Sequence, residues 1–572
     1  MGKIDGLKAK NLASRMSQRP WNERSWHEKP WAVGLTLGII ALLIRLWHLR
    51  EMEANDPFFY YLILDPAFYH DWAIRISEGN FDHDSVFFLS PLYPYFLGFI
   101  YWLTGPGMII PRVVQVLFGA FSVVGIFFIG RRVFGPVTGL LAAAIYTFYA
   151  PAIFYEPLYL VTAIQTPLNI GLVLALLMAF AKPERRLAWL GCGALLGLSA
   201  LARPNVLLFG GFVVAGLLLQ IDSRPAWRQA MVRSLVFAIG VGILVFPVTL
   251  RNYLVAGDIM LVTSSGGPNF YIGNNVEATG RFQTPQIFDK IEVNSPRSQM
   301  SAYIQLAESE IGRPLSPSEV SDFWYRKTWS EIADDPGRWI RLLLLKLSLF
   351  FNYYEFGSSR NFEQSAQNST VLRLPLFRFG LIAPFAITGM FVASRRWRGA
   401  LMLYGMVAVY IVTVLMFFFL SHYRMPVTPF LTIFAAYCCV WMWNAARKHR
   451  WFGSVLASCS LLGSALWVNL TLTNPNFEMQ NIHFNLGNVY VKQERYDEAI
   501  REFRASIDLN PNVISRYHNL AYVYGLRPET FKEAIEAWET VLAIGMERND
   551  DYHVRAAKQE ISRLRDTLAD PE

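Results

Sequence analysis

Long apolar runs recur along this chain, and they constrain its fold more than any other feature. Eleven runs reach or approach the roughly 20 residues that a helix needs to cross a bilayer. They cover residues 31–47, 111–130, 136–155, 158–180, 187–203, 205–220, 230–250, 374–394, 400–420, 426–444 and 451–470. The chain is 53% apolar and only 17% charged, against about 25% for soluble domains. The pattern predicts an all-α polytopic membrane protein with about 11 transmembrane helices, and it excludes a cytosolic enzyme, a fibrous chain and a disordered one.

The distribution of charge predicts which way the chain threads the membrane. The first 30 residues hold seven Lys or Arg and three acidic residues, whereas residues 51–85 hold eight acidic residues and one arginine. Basic residues favour the cytoplasmic side. We therefore expect a cytoplasmic segment 1–30 and a transmembrane domain 31–475 with outer loops 51–110 and 251–373. Two further apolar stretches, 87–104 and 338–354, break this charge pattern as spans, so we expect them to lie at the outer surface.

The C-terminal part of the chain carries an internal repeat. The pattern L-G-x-x-Y at 486–490 and A-x-x-x-F at 499–503 returns about 34 residues later as L-A-x-x-Y at 520–524 and A-x-x-x-W at 534–538. This is the tetratricopeptide pattern of paired helices. Two repeats are few, because each unit buries its face only against a neighbour. We expect a tetratricopeptide-repeat domain over 476–572 that leans on the membrane domain or on a protein partner.

Several common functional motifs are absent from the sequence. There is no phosphate-binding G-x-x-x-x-G-K-[ST], no H-E-x-x-H and no G-x-S-x-G, which disfavours nucleotide hydrolysis, zinc proteolysis and serine hydrolysis. The four cysteines have no metal-binding spacing. No cofactor is indicated, a divalent metal is left open, and the basic residues are interpreted as topology signals rather than as a nucleic-acid site.

Four arginines lie at the outer ends of predicted spans, against the usual charge bias: Arg112, Arg203, Arg251 and Arg424. Taken singly, each is explained by snorkelling to lipid headgroups or by pairing with a loop carboxylate. Four on one side favour a phosphate site, because the guanidinium fork binds phosphate oxygens in a bidentate way.

The first outer loop offers the matching carboxylate. Asp65 and Pro66 resemble a helix start, with Tyr69 one turn on and His70 beside it. Asp65 is interpreted either as the helix N-cap or as a general base at the membrane surface. Tyr69 and His70 are candidate substrate contacts.

Further candidates lie elsewhere on the outer side. Glu156 is a second possible catalytic carboxylate. In the long outer loop, Asn252, Asn269 and Tyr271 suit sugar hydroxyls, although this glycine-containing stretch is equally compatible with an ordinary turn. Tyr423, beside Arg424, completes the set of substrate contacts.

Five short motifs together resemble the GT-C superfamily of polytopic glycosyltransferases. They are D-x-x-x-Y-x-x-x-A at 65–73, P-L-Y-P at 91–94, R-R-V-F-G at 131–135, A-R-P-N at 202–205 and H-Y-R-M-P at 422–426. The sequence is most similar to the bacterial branch related to protein O-mannosyltransferases and the lipid A aminoarabinose transferase, over roughly residues 30–440. The resemblance implies that Asp65 is the base and that the donor is a polyprenyl-phosphate sugar. Many members have an acidic residue after this Asp, where the present chain has Pro66, so Asp71 or Glu156 would have to supply any second carboxylate.

These observations predict an inverting glycosyltransferase at the outer face of a bacterial inner membrane, with the repeats in the periplasm. The acceptor would be a hydroxyl on a protein, a glycan or a lipid. The main alternative is a transporter or flippase for a lipid-linked saccharide or another anion, since arginines facing an anionic substrate would look similar. A membrane scaffold built on the repeats leaves the outward arginines unexplained.

Overall fold

The computed structural model describes residues 29–81, 85–219, 224–288, 295–357, 360–449, 451–472 and 475–569. Most of the predicted N-terminal segment 1–30 therefore lies outside the described residues. Within them the chain is helical, with no β-strand and two isolated bridges. The first ten α-helices are α1 (Pro30–Asn55), α2 (Leu64–Ser77), α3 (Leu92–Thr104), α4 (Ile109–Phe134), α5 (Pro136–Thr147), α6 (Ala150–Tyr155), α7 (Thr162–Ala181), α8 (Arg186–Ala202), α9 (Phe209–Leu218) and α10 (Arg224–Ala256).

The second half of the chain continues the helical architecture. Its helices are α11 (Gly266–Asn274), α12 (Pro296–Ile311), α13 (Pro317–Asp334), α14 (Pro336–Phe351), α15 (Phe362–Gln367), α16 (Thr370–Arg373), α17 (Phe379–Ala393), α18 (Leu401–Met416), α19 (Thr428–Arg447), α20 (Trp451–Val468), α21 (Pro475–Lys492), α22 (Tyr496–Leu509), α23 (Ile514–Tyr524), α24 (Phe531–Glu547) and α25 (Asp551–Ala569). The predicted all-α class is confirmed.

Many of these helices are apolar enough to lie in a membrane. Among the described residues, six are long and apolar enough to cross a bilayer: α1, α4, α7, α10, α19 and α20. Four shorter apolar helices accompany them, namely α5, α8, α18 and the segment Pro204–Leu218 that contains α9. The helices of the two stretches that broke the charge pattern, α3 and α14, are in neither group. The protein is thus a multi-pass membrane protein, while the count of eleven crossings stays a prediction.

The two ends of the bundle are defined by α4. Arg112 lies near its start and Phe134 at its end, about 33 Å apart at 1.5 Å per residue. Helix α17 lies between Phe377, which pairs with Tyr149 after α5, and Arg395, which lies beside Phe134. We call the two sides the Arg112 end and the Phe134 end.

Small residues allow neighbouring helices of the bundle to approach closely. A Cβ atom on Gly193 of α8 would lie 2.0 Å from the carbonyl oxygen of Phe237, and one on Gly240 of α10 would lie 2.2 Å from that of Leu190. The backbones therefore touch at this crossing, as small residues permit in membrane helix pairs.

The C-terminal helices form their own core against the Arg112 end. Gly487 allows the ring of Phe503 to pack onto α21, since a Cβ at 487 would lie 2.5 Å from that ring. Helix α21 also covers Phe58 and its neighbours in the segment 57–63 between α1 and α2, and the Gln493 side chain donates to the Pro57 carbonyl over 2.9 Å. An ion pair between Arg281 and Glu478 adds a second attachment. The domain thus leans on the membrane domain.

Candidate active site

Asp65 does not cap the helix that it begins. The N-cap of α2 is Ile63, which offers no side-chain hydrogen bond, and Asp65 lies inside the first turn. The interpretation of Asp65 as an N-cap is therefore wrong, because that position falls two residues earlier. Among the described residues its carboxylate accepts no hydrogen bond and forms no ion pair. No contact in the described structure therefore gives the Asp65 carboxylate a role in stabilising the fold.

The backbone before Asp65 is held in an uncommon conformation. Leu64 has a φ of 54°, in the left-handed region that a branched side chain rarely adopts. Such residues cost on the order of 1–3 kcal/mol and cluster at functional sites. Asp65 itself is partly exposed, and burial among its neighbours raises the pKa of its carboxyl, an effect that the nearby Arg203 charge partly opposes. A raised pKa makes a carboxylate a better proton acceptor.

Arg203 brings a lone positive charge to the same place. It is the residue at which α8 ends, in extended conformation, and its guanidinium carbon lies 4.1 Å from the ring centroid of Tyr423. Beside this cation–π contact, its guanidinium forms no hydrogen bond and no ion pair within the described residues. The guanidinium N–H groups are therefore available for an anion.

Two tyrosines flank the pair of charges. Tyr69 lies one turn after Asp65 and packs edge-on against Tyr93 with ring centroids 5.2 Å apart. Tyr423 lies in a short 3₁₀ turn, Ser421–Arg424. Burial raises the pKa of both phenols, Asp65 raises them further and Arg203 opposes this, which for Tyr423 gives a pKa of about 12. The structure thus brings together four of the predicted residues, and both phenols remain neutral hydrogen-bond donors at pH 7.

Several neutral polar groups lie around Asp65 and Arg203, and the sequence analysis did not single out these groups. Burial, with the Arg203 charge, lowers the pKa of His422 well below its usual range, so the imidazole is neutral. Ser199, one turn before Arg203, donates to Asn169 Oδ1 over 2.8 Å, and Asn169 Nδ2 donates to the Tyr410 hydroxyl over 2.7 Å. Ser199 and Asn169 were recognisable in the sequence as polar residues inside apolar runs, where polar side chains need partners.

Gln165 is the unsatisfied member of this region. It lies one turn before Asn169 on α7 and therefore on the same face. Its side chain is completely buried, and neither its amide nitrogen nor its amide oxygen has a hydrogen-bond partner in the described structure. An orphaned buried amide costs about 1–3 kcal/mol and calls for an explanation.

The other three predicted phosphate-binding arginines are bound elsewhere. Arg112 donates to the carbonyls of Phe59 and Met108 and lies 4.0 Å from the Phe59 ring centroid. Arg251 donates to the Ser85 carbonyl over 2.9 Å and stacks on the ring of Phe87.

Arg424 is fully buried and lies 3.7 Å from the Phe379 ring centroid. It pairs with Glu355 and donates to the Asn352 carbonyl over 2.7 Å. The structure does not bring these three arginines to Asp65. Their guanidinium groups hold loop segments to the bundle, and the prediction that they bind phosphate is not supported by these contacts.

Glu156 is likewise bound in the bundle interior. Its carboxylate forms an ion pair with Arg45 of α1, and both side chains are almost completely buried. Gly119 makes room for it, since a Cβ there would lie 2.1 Å from Glu156 Oε2. The prediction of a second catalytic carboxylate is not supported, because the only described role of Glu156 is to balance the charge of Arg45.

The remaining candidate contacts divide into one open and three structural positions. His70 lies 2.7 Å from the Tyr101 hydroxyl, and burial lowers its pKa. Asn252 is buried and donates to the carbonyls of Met260 and Val262. Tyr271 is buried against Trp324. Asn269 of α11 is partly exposed like His70, but its side chain has no hydrogen bond among the described residues. Within those residues, no group of three or more His, Cys, Asp or Glu side chains could hold a metal ion.

The fold and this site define a polytopic membrane protein with an unpaired carboxylate and guanidinium beside each other near one end of its helical bundle. Residues 89–250 match the sequence profile of the family described as dolichyl-phosphate-mannose-protein mannosyltransferase, and residues 480–513 match that of the tetratricopeptide repeat. Both resemblances predicted from the sequence are confirmed. No curated protein sequence matches the chain.

Solved structures of low similarity accompany these matches. The oligosaccharyltransferase of Archaeoglobus fulgidus in the apo form is 12% identical with a TM-score of 0.43, and the match covers 84% of the present chain and 60% of that protein. ArnT from Cupriavidus metallidurans, bound to undecaprenyl phosphate, is 12% identical with a TM-score of 0.34, covering 72% of the present chain and 78% of its own. The chain thus spans less than two thirds of the oligosaccharyltransferase.

Proposed function

We propose that this protein is a membrane glycosyltransferase that moves a sugar from a polyprenyl-phosphate donor to an acceptor hydroxyl with inversion. Asp65 is the general base and Arg203 holds the donor phosphate. The family match over residues 89–250 supports the lipid-phosphate donor, because its description names a dolichyl-phosphate sugar. The reaction would take place on the outer face of a bacterial inner membrane, with the C-terminal repeats on that same side.

One displacement accounts for the chemistry. The acceptor hydroxyl gives its proton to the Asp65 carboxylate, and its oxygen forms a bond to the anomeric carbon. The bond from that carbon to the phosphate oxygen breaks, and polyprenyl phosphate leaves as an anion. The added negative charge on the leaving oxygen is stabilised by the Arg203 guanidinium, so little acid catalysis is needed. Tyr69 and Tyr423 donate hydrogen bonds to the sugar or to the phosphate.

A single observation carries this proposal: the Arg203 charge lies close enough to Asp65 to oppose the rise in its pKa, yet neither group forms an ion pair within the described structure. Both groups are partly exposed and therefore accessible to a ligand. A substrate that supplies both a proton and an anion satisfies the two groups at once. Neither charge has an obvious role in holding the fold together.

The decisive experiment measures release of free polyprenyl phosphate by the purified protein. A panel of polyprenyl-phosphate sugars is offered with and without simple acceptors. Asp65→Asn is compared with Glu78→Gln, which changes an exposed carboxylate at the C-cap of the same helix. We expect Glu78→Gln to behave as the wild type and Asp65→Asn to lose turnover. A transporter would leave every donor intact, so intact donors that cross proteoliposome membranes would overturn the assignment.

A further inference from the structure

A cavity of about 450 Å³ opens at the Phe134 end of the bundle, remote from Asp65. It is lined by Val133 and Phe134 at the end of α4 and by residues 395–399 of the connection between α17 and α18. The volume falls within the range of small-molecule sites. None of its residues takes part in the site described above.

Three guanidinium groups form the rim of this cavity. Arg395, Arg396 and Arg398 are all exposed, and none of them forms an ion pair with any described residue. Further basic residues lie at helix ends on this side, among them Arg131, Arg132, Lys182, Arg185, Arg186, Arg447 and Lys448, and Glu184 is the acidic residue of the α7–α8 connection. The cavity therefore lies in a field that attracts anions.

The floor of the cavity is apolar and fixed in place. The ring of Phe134 stacks on Tyr437 of α19 with centroids 4.1 Å apart, and Val133 lies beside it. On the rim, the Arg398 guanidinium lies 5.7 Å from the ring centroid of Trp397. A cationic rim over an apolar floor, at the ends of membrane helices, matches a molecule that has a phosphate and a hydrocarbon part.

We propose that this cavity binds the headgroup of an anionic phospholipid in the leaflet at the Phe134 end. The phosphodiester accepts hydrogen bonds from the guanidinium forks of Arg395, Arg396 and Arg398, and the glycerol and the first acyl carbons lie on Val133 and Phe134. Basic pockets between membrane helices bind such lipids in this way. A free phosphate would use the rim alone and would gain nothing from the apolar floor.

The test is native mass spectrometry of the delipidated full-length protein titrated with phosphatidylglycerol or with zwitterionic phosphatidylcholine. We expect one tight phosphatidylglycerol site in the wild type. In the triple variant Arg395→Gln, Arg396→Gln and Arg398→Gln, binding is expected to weaken on the order of 100-fold, since each charge contributes about fivefold. Replacing the same three arginines by lysine keeps the charge but removes the guanidinium forks, so the affinity should fall between those of the wild type and the glutamine variant.

The matched control is Lys182→Gln, Arg185→Gln and Arg186→Gln, which removes three exposed charges from the α7–α8 connection at the same end. It is expected to lose much less affinity than the cavity variant, because the guanidinium groups that line the cavity are unchanged. Equal loss in this control would mean attraction by the surface as a whole and would overturn a specific site. Unchanged binding in the glutamine variant, or complete displacement of the lipid by millimolar inorganic phosphate, would overturn it as well.

Discussion

Asp65 and Arg203 interact electrostatically without forming an ion pair. One comes from the start of α2 and the other from the end of α8, and the two helices reach the same place at the Arg112 end of the bundle. A direct ion pair would neutralise both groups and leave nothing for a substrate. The separation keeps both charges available, which is the condition for a base and an anion-binding group to act on one molecule.

The acid side of the pH profile is expected to respond to Arg203. Activity requires ionised Asp65 and therefore falls as the pH falls through the pKa of that carboxyl. Burial raises the pKa of Asp65, and the Arg203 charge lowers it. Arg203→Gln removes the lowering effect, so the pKa should rise and the acid limb of the activity profile should move to higher pH. Arg203→Lys keeps the limb in place but lowers the rate, because the fork is lost. The measurement is kcat/KM against pH, and an unmoved limb in Arg203→Gln would contradict the pairing.

Replacing Asp65 should separate activity from stability. Asp65→Asn removes the base, and we expect a rate loss of roughly 10²–10⁴-fold. The raised pKa means that the folded state disfavours the ionised carboxyl, so the variant should unfold at the same or a higher temperature at pH 7.5. This difference should shrink as the pH falls and wild-type Asp65 becomes protonated. A clear loss of thermal stability would indicate a structural role instead.

Gln165 and Asn169 give a contrasting pair of variants on one helix face. Gln165→Leu removes an amide without partners, so thermal stability should be kept or raised, while KM for the donor should rise about tenfold if the amide binds substrate. Asn169→Leu breaks hydrogen bonds to Ser199 and Tyr410 and should lower thermal stability. If Gln165→Leu destabilises the protein as much as Asn169→Leu, the amide has a structural role.

Glu156 tests the distinction between a catalytic and a structural carboxylate. Glu156→Gln leaves Arg45 charged and buried without a counterion, which should cost about 3–5 kcal/mol of stability. The double replacement Arg45→Met with Glu156→Leu removes both charges and should recover most of that stability together with activity. Thermal unfolding and turnover are measured on the same preparations. A stable but inactive double variant would return Glu156 to the catalytic candidates.

The attachment of the C-terminal domain is accessible to a charge reversal. Arg281→Glu places two like charges at the contact with Glu478, and we expect faster proteolysis within α21. Reversing both residues restores the opposite signs and should restore protection. Hydrogen exchange of residues 475–492 gives an independent readout. Equal protection in the single and double variants would show that the apolar contact around Phe58 holds the domain without the ion pair.

Part of the site was predictable from the sequence, namely the residues that belong to recognisable short motifs. Asp65, Tyr69, Arg203 and Tyr423 stand in short motifs, and the structure brings them together. The other arginines were chosen only for their place at span ends, and sequence cannot show which backbone carbonyls will meet them. Arg424, for example, is satisfied by carbonyl groups about 70 residues away.

The sequence indicated that Arg45 has a counterion, but it did not identify Glu156 as that counterion. Arg45 stands alone inside the first apolar run and needs a counterion, but its partner lies 111 residues further along the chain. Similarly, Gln165 and Asn169 are polar residues in an apolar run. Helix periodicity predicts that they share one helix face, but it does not predict which residues pack against that face. The helical class and the repeats were predictable because both depend on short-range periodicity.

The contact between α21 and segment 57–63 imposes a parity rule on the threading of the chain. Two segments that touch outside the bilayer lie on one side of it, so the chain must cross an even number of times between residue 63 and residue 475. The ten crossings predicted from the sequence for residues 111–470 satisfy this rule. Inserting or deleting one crossing would therefore send the C-terminal helices to the opposite side and leave Phe58 uncovered.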